Sequence, residues 1–543
     1  MKPYRVLVTD VLAQVGIDVL SQAAEVDMRP GISSEELKSI IGDYDALIVR
    51  STTKVTREII EAAKKLRVIG RAGVGVDNID VVAATERGIY VVNSPDAVTI
   101  AAAEHTMALL LALARRVVQA HSAMNTANKS GGSVDRKKFM GTQLAGKTMG
   151  IIGIGRIGSY VAKLSQAFGM RVIGYDPFVT IESARQKGIE WKELEVLLKE
   201  ADVISLHVPL TDETYHMLDT RQFEMMKDGV MIINTSRGAV INEAALYKAL
   251  VGGKVAGAAV DVVEAEPPWK TKLLELENVI VTPHLGASTV EAQEVAARDI
   301  AEQLLTVLKG EIPRNAVNLP PIPIEVREFL KPFMQLAERI GRFQSQICRG
   351  GIKLIQLFHA GQLASYDTAP LTSAFLKGFL EVRLSEAVNY LNAPVIARSR
   401  GIGFTDERTT EDVGYSNLIT ARVITTQEQW TVSGSLIRDV GMRIVRINQY
   451  HVDVIPEGHA LVFEQYDKPG IVGRVGTLLG SHNINIANMQ LGRERVGGHS
   501  IMIMLVDNPV PNELLEQMKT FPNIIDVRSV YFGPPLSETM QSP

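Results

Sequence analysis

Residues 146–158 read GKTMGIIGIGRIG, and this stretch decides the fold of the region around it. The apolar run 149–152 predicts a buried strand, and Gly153, Gly155 and Gly158 have the GxGxxG spacing of a strand-to-helix turn. A helix is predicted from about residue 156 to 168, and a second strand, RVIGY, leads into Asp176, 18 residues past Gly158. Glycine-rich patterns also arise by chance, so this context carries the interpretation as a dinucleotide-binding turn.

Each glycine of this turn has its own physical role. The first permits a tight turn, the second lets a pyrophosphate approach the backbone, and the third lets helix and strand pack closely. Phosphate then lies at the helix N-terminus. Asp176 can accept hydrogen bonds from the ribose hydroxyls and would repel a 2′-phosphate, which favours NAD over NADP. A glycine-rich turn without a ligand is the alternative.

The regions on either side extend this α/β pattern. Six strand-like segments divided by helices predict a doubly wound, Rossmann-type sheet: MGIIGIG, RVIGYD, ADVISLHVP, GVMIINTS, VAGAAVDV and NVIVTPH. Residues 5–95 alternate short β-branched runs with helical segments, which predicts another parallel sheet. After His284 a long amphipathic helix, TVEAQEVAARDIAEQLLTVLKG, is expected to return the chain to that first sheet.

The carboxyl-terminal part begins after the proline-rich stretch VNLPPIPIE at residues 317–325, which predicts a stiff linker. Residues 326 to about 450 mix helices with β-rich runs. Residues 459–531 follow the order β-α-β-β-α-β, which is the ferredoxin-like arrangement.

Composition limits the class of protein. The 543 residues are enough for three or four domains, and 46 % apolar and 22 % charged residues with a mean hydropathy of +0.09 exclude a fibrous or disordered chain. A net charge of −4 gives no long-range attraction to nucleic acid or to anionic membranes. Cys348 is the single cysteine, so no intramolecular disulfide or Cys/His metal cluster is expected. With no visible export signal and no apolar run long enough to span a bilayer, we expect a cytoplasmic, metal-free protein with small-molecule partners.

Three chemically useful side chains follow predicted strands of the second sheet: Arg237, Glu266 and His284. Ligands bind at the carboxyl ends of strands in such folds. Oxidation of a 2-hydroxy acid needs a base for the hydroxyl proton, and His284 has a suitable ordinary pKa. Glu266 would orient that base, and Arg237 offers a planar fork for a carboxylate. Each residue taken alone is more simply a loop or surface residue.

The segments GKTMGIIGIGRIG, INTSRGAVINEAAL, AAVDVVEAEPP and VTPHLGAST, in this order, resemble the D-isomer-specific 2-hydroxyacid dehydrogenase family. The resemblance implies an NAD domain inserted into a flavodoxin-like substrate domain, with Arg237, Glu266 and His284 as catalytic residues. GRAGVGVDNID, VRSTTKVT and the carboxyl-terminal regions resemble the long members, which oxidise 3-phospho-D-glycerate to 3-phosphooxypyruvate with NAD in the first step of L-serine biosynthesis. The implied domains are the substrate domain at 1–98 and 286–316, the NAD domain at 99–285, a linker at 317–325, an α/β intervening domain of the allosteric substrate-binding type at 326–456, an ACT domain at 457–531 and a flexible tail at 532–543.

The resemblance also implies binding residues. The expected cofactor contacts are Gly153, Gly155, Arg156, Ile157, Gly158, Asp176, Pro209, Thr214, Thr235, Asp261, His284 and Gly286. The expected substrate contacts are Arg50, Ser51, Arg71, Gly73 and Arg237, together with Arg136, which is expected to act from a neighbouring subunit. The substrate carries about three negative charges, so a protein of net charge −4 must supply local cations for it.

The last domain resembles an ACT module in the run YDKPGIVGRVGTLLGSHNINIANMQ. ACT modules pair side by side and bind amino acids where they meet, which implies a homo-oligomer, either a dimer or a tetramer. By this resemblance Asp467 holds an amino group, Asn485 holds a carboxylate, and L-serine is the effector. Gln465 and Tyr466 depart from the positions that contact serine in some relatives, so an assembly module without a ligand is the alternative.

One departure bears on the substrate. Ala97 and Val98 stand where the family commonly has a Gly-Asn pair whose asparagine contacts the substrate. The sequence therefore leaves two other functions open. One is the oxidation of another D-2-hydroxy acid, and the other is a catalytically silent sensor that retains the fold and the ACT module.

Overall fold

The computed structural model describes residues 3–264, 268–319, 324–385, 387–411 and 413–535. Its amino-terminal lobe is a parallel sheet with helices on both faces. The strands are β1 (Tyr4–Val8), β2 (Ala24–Met28), β3 (Ala46–Val49), β4 (Val68–Arg71) and β5 (Tyr90–Asn93), and the helices are α1 (Gln14–Ser21), α2 (Ser34–Ile40), α3 (Arg57–Ala62) and α4 (Val81–Glu86). The order β2-β1-β3-β4-β5 is flavodoxin-like, as predicted.

The second lobe is a larger parallel sheet. Its helices are α5 (Thr99–Ala114), α6 (Val117–Ser130), α7 (Arg156–Ala167), α8 (Ile181–Gln186), α9 (Leu194–Glu200), α10 (Thr220–Met225) and α11 (Glu243–Val251), and its strands are β6 (Thr148–Ile152), β7 (Arg171–Tyr175), β8 (Glu190–Trp191), β9 (Val203–Leu206), β10 (Val230–Asn234), β11 (Val255–Val260) and β12 (Val279–Val281). The order β12-β11-β10-β9-β6-β7-β8 is the doubly wound order, which reverses between β6 and β9. Six of these strands are predicted from the sequence, and β8 adds a seventh at the edge.

The chain then returns to the first lobe through α12 (Val290–Leu308). The face of α12 that carries Ala297, Ile300 and Leu304 is fully buried in the same core as Val6 and Val8 of β1. The second lobe is therefore an insertion in the first, as predicted.

The stretch predicted as a linker is shorter than its bounds of 317–325. Val317 donates its backbone N–H to the carbonyl of Val91 at 2.7 Å, and the Asn318 side chain bonds the backbone beside β5, so both residues are fixed to the first lobe. The helix α13 (Ile324–Ile347) begins one residue before the predicted end of the linker at 325.

The third region packs helices against one mixed sheet. It contains β13 (Ile352–Gly361), α14 (Ala369–Arg383), α15 (Ala393–Ser399), β14 (Gly403–Thr409), β15 (Asn417–Thr425), β16 (Gln429–Ile437), β17 (Gly441–Ile447) and β18 (Tyr450–Val454). The order is β14-β13-β15-β16-β17-β18, in which β13 and β14 are parallel and the other pairs are antiparallel. The helices α13 and α14 share the core of this sheet.

The last region has the predicted ferredoxin-like fold. It runs β19 (His459–Tyr466), α16 (Ile471–Ser481), β20 (Ile486–Arg493), β21 (His499–Val506), α17 (Asn512–Lys519) and β22 (Ile524–Tyr531), with the antiparallel order β20-β21-β19-β22. The predicted tail at 532–543 begins too early. Phe532 is buried and stacks on Phe343 with ring centroids 5.2 Å apart, and Arg339 donates to the carbonyl of Pro534. The tail residues from 536 onward lie outside the described residues.

Short 3₁₀ helices complete the fold at Ile41–Asp43, Arg136–Phe139, Gly238–Val240, Pro268–Lys270, Lys272–Glu275 and Gln362–Ser365. None of the helices in the described ranges is both long and apolar enough to cross a bilayer. Within those same ranges, His, Cys, Asp and Glu side chains form no group of three that could hold a metal ion.

Candidate active site

The glycine-rich turn after β6 has the geometry that its sequence predicts. Gly153 has φ +96°, and a Cβ there would lie 2.8 Å from the backbone of His207. A Cβ at Gly158 would lie 2.0 Å from the carbonyl oxygen of Gly153, so only glycine allows α7 to pack this close to the turn. A Cβ at Gly155 would meet no protein atom within 4 Å. Gly155 therefore leaves open space at the start of α7, where a pyrophosphate fits against backbone N–H groups.

Asp176 lies beside this turn at the end of β7. Its two carboxylate oxygens accept the backbone N–H groups of Ile154 and Phe178, both at 2.9 Å. These bonds fix the carboxylate next to the turn and leave lone pairs on both oxygens. The residues present therefore fit a dinucleotide whose ribose hydroxyls donate to Asp176.

The loop that carries His284 is held by a buried aspartate. Asp261 accepts hydrogen bonds from Thr282 Oγ1 at 2.6 Å and from the N–H groups of Leu285 and Gly286 at 2.7 and 2.8 Å. Burial raises the pKa of Asp261, but these bonds and one from His105 outweigh burial and hold that pKa below its usual value. Asp261 is predicted as a cofactor contact, but its carboxylate accepts hydrogen bonds from the 282–286 loop and holds that loop in place.

His284 itself has a strained backbone. Its φ of +58° lies in the left-handed region, and its N–H donates to the carbonyls of Asp261 and Thr282 at 2.9 and 3.0 Å. Such strain in a non-glycine residue persists only where the surroundings impose it, and it clusters at functional sites. The exposed imidazole is therefore presented by a rigid loop at the carboxyl end of β12.

Glu266, the predicted partner of His284, lies outside the described residues. The segment before it is well anchored. Glu264 bonds His216 Nε2 at 2.7 Å and accepts the N–H of Glu243 at 3.2 Å, and Glu243 accepts the N–H of Glu264 in return.

Two glycines of the stretch GRAGVGVDNID make room for two arginines. A Cβ at Gly73 would lie 1.9 Å from Nη1 of Arg71, and a Cβ at Gly75 would lie 2.0 Å from Nη2 of Arg237. A side chain at either position would displace the guanidinium beside it. Arg237 follows β10 in the second lobe and Arg71 ends β4 in the first, so the two lobes meet here.

Arg71 lies in an unfavourable environment for a cation. Its Nε is buried and has no hydrogen-bond partner within the described ranges. Burial lowers the pKa of Arg71 most, and the positive charges of Arg237 and Arg50 lower it further, whereas Asp77 and Asp10 raise it. A bound anion would stabilise this cluster by satisfying Nε and by opposing the like charges.

The remaining predicted contacts lie near the cleft with other immediate partners. Pro209 and Thr214 close a turn after β9 through a 2.6 Å bond, Thr235 bonds Thr106 at 2.8 Å, and Arg156 pairs with Asp96 of the first lobe at 2.9 Å. Ile157 is the second residue of α7, and Ser51 is exposed next to Arg50.

Arg136 is not brought to the cleft of its own chain. Its 3₁₀ helix lies by the carboxyl end of α5, where Arg116 donates to the carbonyl of Lys138 and Thr142 donates to that of Ala114. The cleft borders the other end of α5, and 16 helical residues at about 1.5 Å each separate the two ends by about 24 Å.

Val98 forms part of the cleft wall. It is buried and lines a small cavity with Arg50, Ala72 and Ala287. The position that commonly carries a polar contact in the family is therefore apolar here, next to one of the predicted substrate arginines.

The two predicted effector residues lie at opposite ends of one sheet. Asp467 follows β19 at the end where Tyr466 pairs with His499, and its carboxylate accepts from Arg493 at 2.8 Å. Asn485 precedes β20, which starts where Ile486 pairs with Val506. One chain alone does not bring these two residues together.

Sequence reasoning missed residues that connect the substrate loops. Asn78 donates to the carbonyls of Arg50 and Thr53 at 2.8 and 2.6 Å, Asn93 donates to that of Val74 at 2.6 Å, and Asp77 pairs with Arg237. The signal that could have found Asp77 and Asn78 is the polar pair that they form after Val76 in the stretch GRAGVGVDNID.

Comparisons with known proteins agree with this geometry. Three family descriptions match: "D-isomer specific 2-hydroxyacid dehydrogenase, NAD binding domain" at residues 107–286, "D-3-phosphoglycerate dehydrogenase intervening domain" at 329–448, and "ACT domain" at 459–523. The D-3-phosphoglycerate dehydrogenase of Methanocaldococcus jannaschii is 47 % identical over 96 % of this chain and 99 % of its own.

Solved structures match a little over half of the chain. The TT0316 protein from Thermus thermophilus has a TM-score of 0.53 and 38 % identity, covering 58 % of this chain and 99 % of its own. D-lactate dehydrogenase from Aquifex aeolicus, complexed with NAD and lactic acid, has a TM-score of 0.52 and 32 % identity over the same shares. The predicted fold, family and cofactor are thereby confirmed. The chain belongs to the D-3-phosphoglycerate dehydrogenase family of NAD-dependent, D-isomer-specific 2-hydroxyacid dehydrogenases.

Proposed function

We propose that the cleft between the two parallel sheets oxidises 3-phospho-D-glycerate to 3-phosphooxypyruvate, the step that opens L-serine biosynthesis. The observation that carries this proposal is the cluster of Arg50, Arg71 and Arg237, in which the buried Nε of Arg71 has no partner within the described ranges. A substrate with a carboxylate and a phosphate supplies the negative charge that this cluster needs. The glycine-rich turn follows β6 and Arg237 follows β10, so both lie at the carboxyl edge of the second sheet.

NAD held at the turn after β6 would supply the acceptor for the hydride that leaves C2 of the substrate. The protein's own part is to remove the hydroxyl proton and to stabilise the charge that develops on that oxygen. His284 takes the proton at its imidazole, because imidazole is the usual general base near neutral pH and because hydrogen bonds hold the backbone of its loop. The family resemblance implies that Glu266 orients this imidazole.

Arg237 binds the carboxylate and stabilises the developing charge on the C2 oxygen. Its Nη1 is held by the carbonyl of Ser236 at 2.8 Å, so the rest of the guanidinium faces the cleft in a fixed orientation. Arg50 and Arg71, together with the backbone of Gly73 and Ser51, bind the phosphorylated end. Bidentate contacts of this kind recognise planar and tetrahedral anions through geometry as well as charge.

We also propose a homo-oligomer in which Arg136 enters the cleft of a neighbouring subunit. The helix α6 has no buried residue in the single chain, and it exposes Val117, Val118 and Met124. Together with the 133–142 segment it borders a groove of about 1230 Å³. Size-exclusion chromatography with light scattering tests the assembly, and Val118→Asp should shift the population towards smaller species.

L-serine is the proposed effector of the ACT domain. Asp467 and Asn485 lie at opposite ends of their sheet, so a complete site requires two domains placed side by side. Titration calorimetry with L-serine on the full chain tests this role. Loss of the heat signal in Asn485→Ala supports it, and an unchanged signal removes Asn485 from the site.

We propose a cytoplasmic location, because a chain with one cysteine lacks the intramolecular disulfides that are common in exported proteins. Cys348 is buried, and burial raises its pKa to about 12, so its thiol is unreactive. Cell fractionation tests this assignment.

The experiment that tests the catalytic function is the rate of NADH formation with 3-phospho-D-glycerate, D-lactate and 2-hydroxyglutarate, each with and without L-serine. Activity confined to the phosphorylated acid supports the proposal. Equal or greater activity on an unphosphorylated acid favours the second candidate, a dehydrogenase of another D-2-hydroxy acid, for which the apolar Val98 in the cleft wall is the observation. No activity on any acid, with NADH binding retained, indicates a silent sensor.

A further inference from the structure

Arg237 is already paired with a carboxylate of its own protein. Asp77 Oδ2 lies 3.2 Å from Nε and 3.1 Å from Nη2 of Arg237, while Nη1 donates to the carbonyl of Ser236. Asp77 therefore occupies the Nε/Nη2 edge of the guanidinium. A substrate carboxylate that binds side-on would use this same edge, because Nε and Nη2 offer two parallel N–H donors and one N–H of Nη1 is engaged by the backbone.

The exposure of the Asp77–Arg237 ion pair allows Asp77 to dissociate from Arg237. The Asp77 side chain is 71 % exposed and that of Arg237 is 30 % exposed. Exposed ion pairs contribute little, and the loss of one changes an equilibrium constant by about fivefold at most. Asp77 thus neutralises Arg237 without binding it tightly.

The pairing also matters for the other arginines. Asp77 opposes the effect of Arg237 and Arg50 on Arg71, since its charge raises the pKa of Arg71 while theirs lower it. The three arginines would otherwise repel one another across the cleft. Asp77 reduces this repulsion while no anion is bound.

We propose that Asp77 is a resting counter-ion of the substrate cleft, which the substrate carboxylate displaces from Arg237. This inference rests on the proposed function, in which Arg237 binds that carboxylate. Asp77 is a specificity-determining residue that lowers the affinity for anionic ligands and takes no part in hydride transfer. A ligand without an anionic group cannot replace Asp77 on Arg237.

The test compares Asp77→Asn with two variants. Asp77→Glu retains the charge, and Asp43→Asn removes an equal charge before β3, at the edge of the sheet away from the cleft. The first readout needs no substrate: phenylglyoxal modifies free arginines, and peptide mass spectrometry measures the rate at Arg237. We expect modification of Arg237 to be at least about twofold faster in Asp77→Asn and unchanged in the other two variants.

The second readout is steady-state kinetics with 3-phospho-D-glycerate. In Asp77→Asn we expect KM to fall by about two- to fivefold with kcat changed less than twofold, and the difference should shrink in high salt. Asp77→Glu should restore the wild-type KM. An unchanged labelling rate at Arg237 overturns the pairing, and a raised KM or a large fall in kcat overturns its role as a competitor. Faster labelling in a protein that does not oxidise 3-phospho-D-glycerate supports the pairing and contradicts the proposed function instead.

Discussion

The cofactor half and the substrate half of the cleft are built by different means. The cofactor half consists of backbone: Gly153, Gly155 and Gly158 shape a turn in which a Cβ either clashes or blocks open space. The substrate half consists of charged side chains. Arg71 packs over Gly73 of its own lobe, and Arg237 of the second lobe packs over Gly75 of the first. Steric substitutions should therefore act abruptly in the first half, and charge substitutions should act gradually and with salt dependence in the second.

The largest effect is expected where the two halves meet, at His284. His284→Asn keeps a residue type that tolerates the positive φ, so the loop should persist while the base is lost. We expect kcat to fall by about 10²- to 10⁴-fold with nearly unchanged NADH affinity. Stopped-flow hydride transfer and NADH fluorescence titration measure the two quantities. An unaltered rate would remove His284 from the mechanism.

Gly158→Ala should break the cofactor half. Its Cβ would lie 2.0 Å from a backbone oxygen, and relief of that overlap requires α7 to move, at a cost of about 2–3 kcal/mol in the free energy of unfolding. Unfolding in denaturant measures this loss, in the transition that shifts to higher denaturant concentration when NADH is added. Gly155→Ala is the matched control, because its Cβ meets open space: stability should hold while NADH affinity falls. Equal effects of both variants on stability would contradict the steric account.

Arg71→Lys should weaken the substrate half by a smaller amount. Lysine keeps the charge but loses the planar fork and the Nε donor, so we expect kcat/KM for 3-phospho-D-glycerate to fall about 10- to 30-fold, mostly through KM. Kinetics at low and high ionic strength measure the effect. An equal loss on D-lactate would mean that Arg71 does not bind the phosphate.

The smallest expected effect is a loss of stability at acidic pH that comes from the cofactor half. Burial lowers the pKa of His207, behind the glycine turn, from 6.5 to about 4. The unfolded chain takes up this proton below pH 6.5 and the folded chain does not, so stability is full above pH 6.5 and falls as the pH drops towards 4. Between pH 6.5 and 5.5 the loss from this group is about 1 kcal/mol. Unfolding at both pH values, in the wild type and in His207→Gln, measures it; an equal pH dependence in the two proteins would exclude His207 as the cause.

The cofactor half could be predicted from sequence because its determinants are local. Strand, glycine turn, helix and Asp176 follow one another within 30 residues, and each constrains the next. The strand β8 was missed because two residues, Glu190 and Trp191, carry no periodicity. The predicted end of the last domain at residue 531 is too early because a local pattern does not show long-range contacts. Phe532 is buried against Phe343 of α13, which is far away in sequence.

The substrate half was only partly predictable. Its arginines came from family resemblance, but the pairing of Asp77 with Arg237 joins residues 160 positions apart on different lobes, and no local pattern encodes it. Asp467 and Asn485 illustrate the same limit, because both lie in the predicted domain and strand register alone separates them. Arg136 is a third case: in the proposed homo-oligomer, its place relative to a cleft depends on a second chain.

The position of α12 has a consequence for synthesis of the chain. The five strands of the first lobe end at Asn93, but the helix that covers one face of their sheet ends only at Leu308. At about 5–20 residues per second, the ribosome needs roughly 10–40 s to make the intervening chain. During that interval the nascent sheet exposes Val6, Val8 and Val92 to solvent and to chaperones, while the inserted lobe can complete its own core. The order of synthesis therefore lets the cofactor side of the cleft be completed before the substrate side, although the first strands of the substrate side are made first.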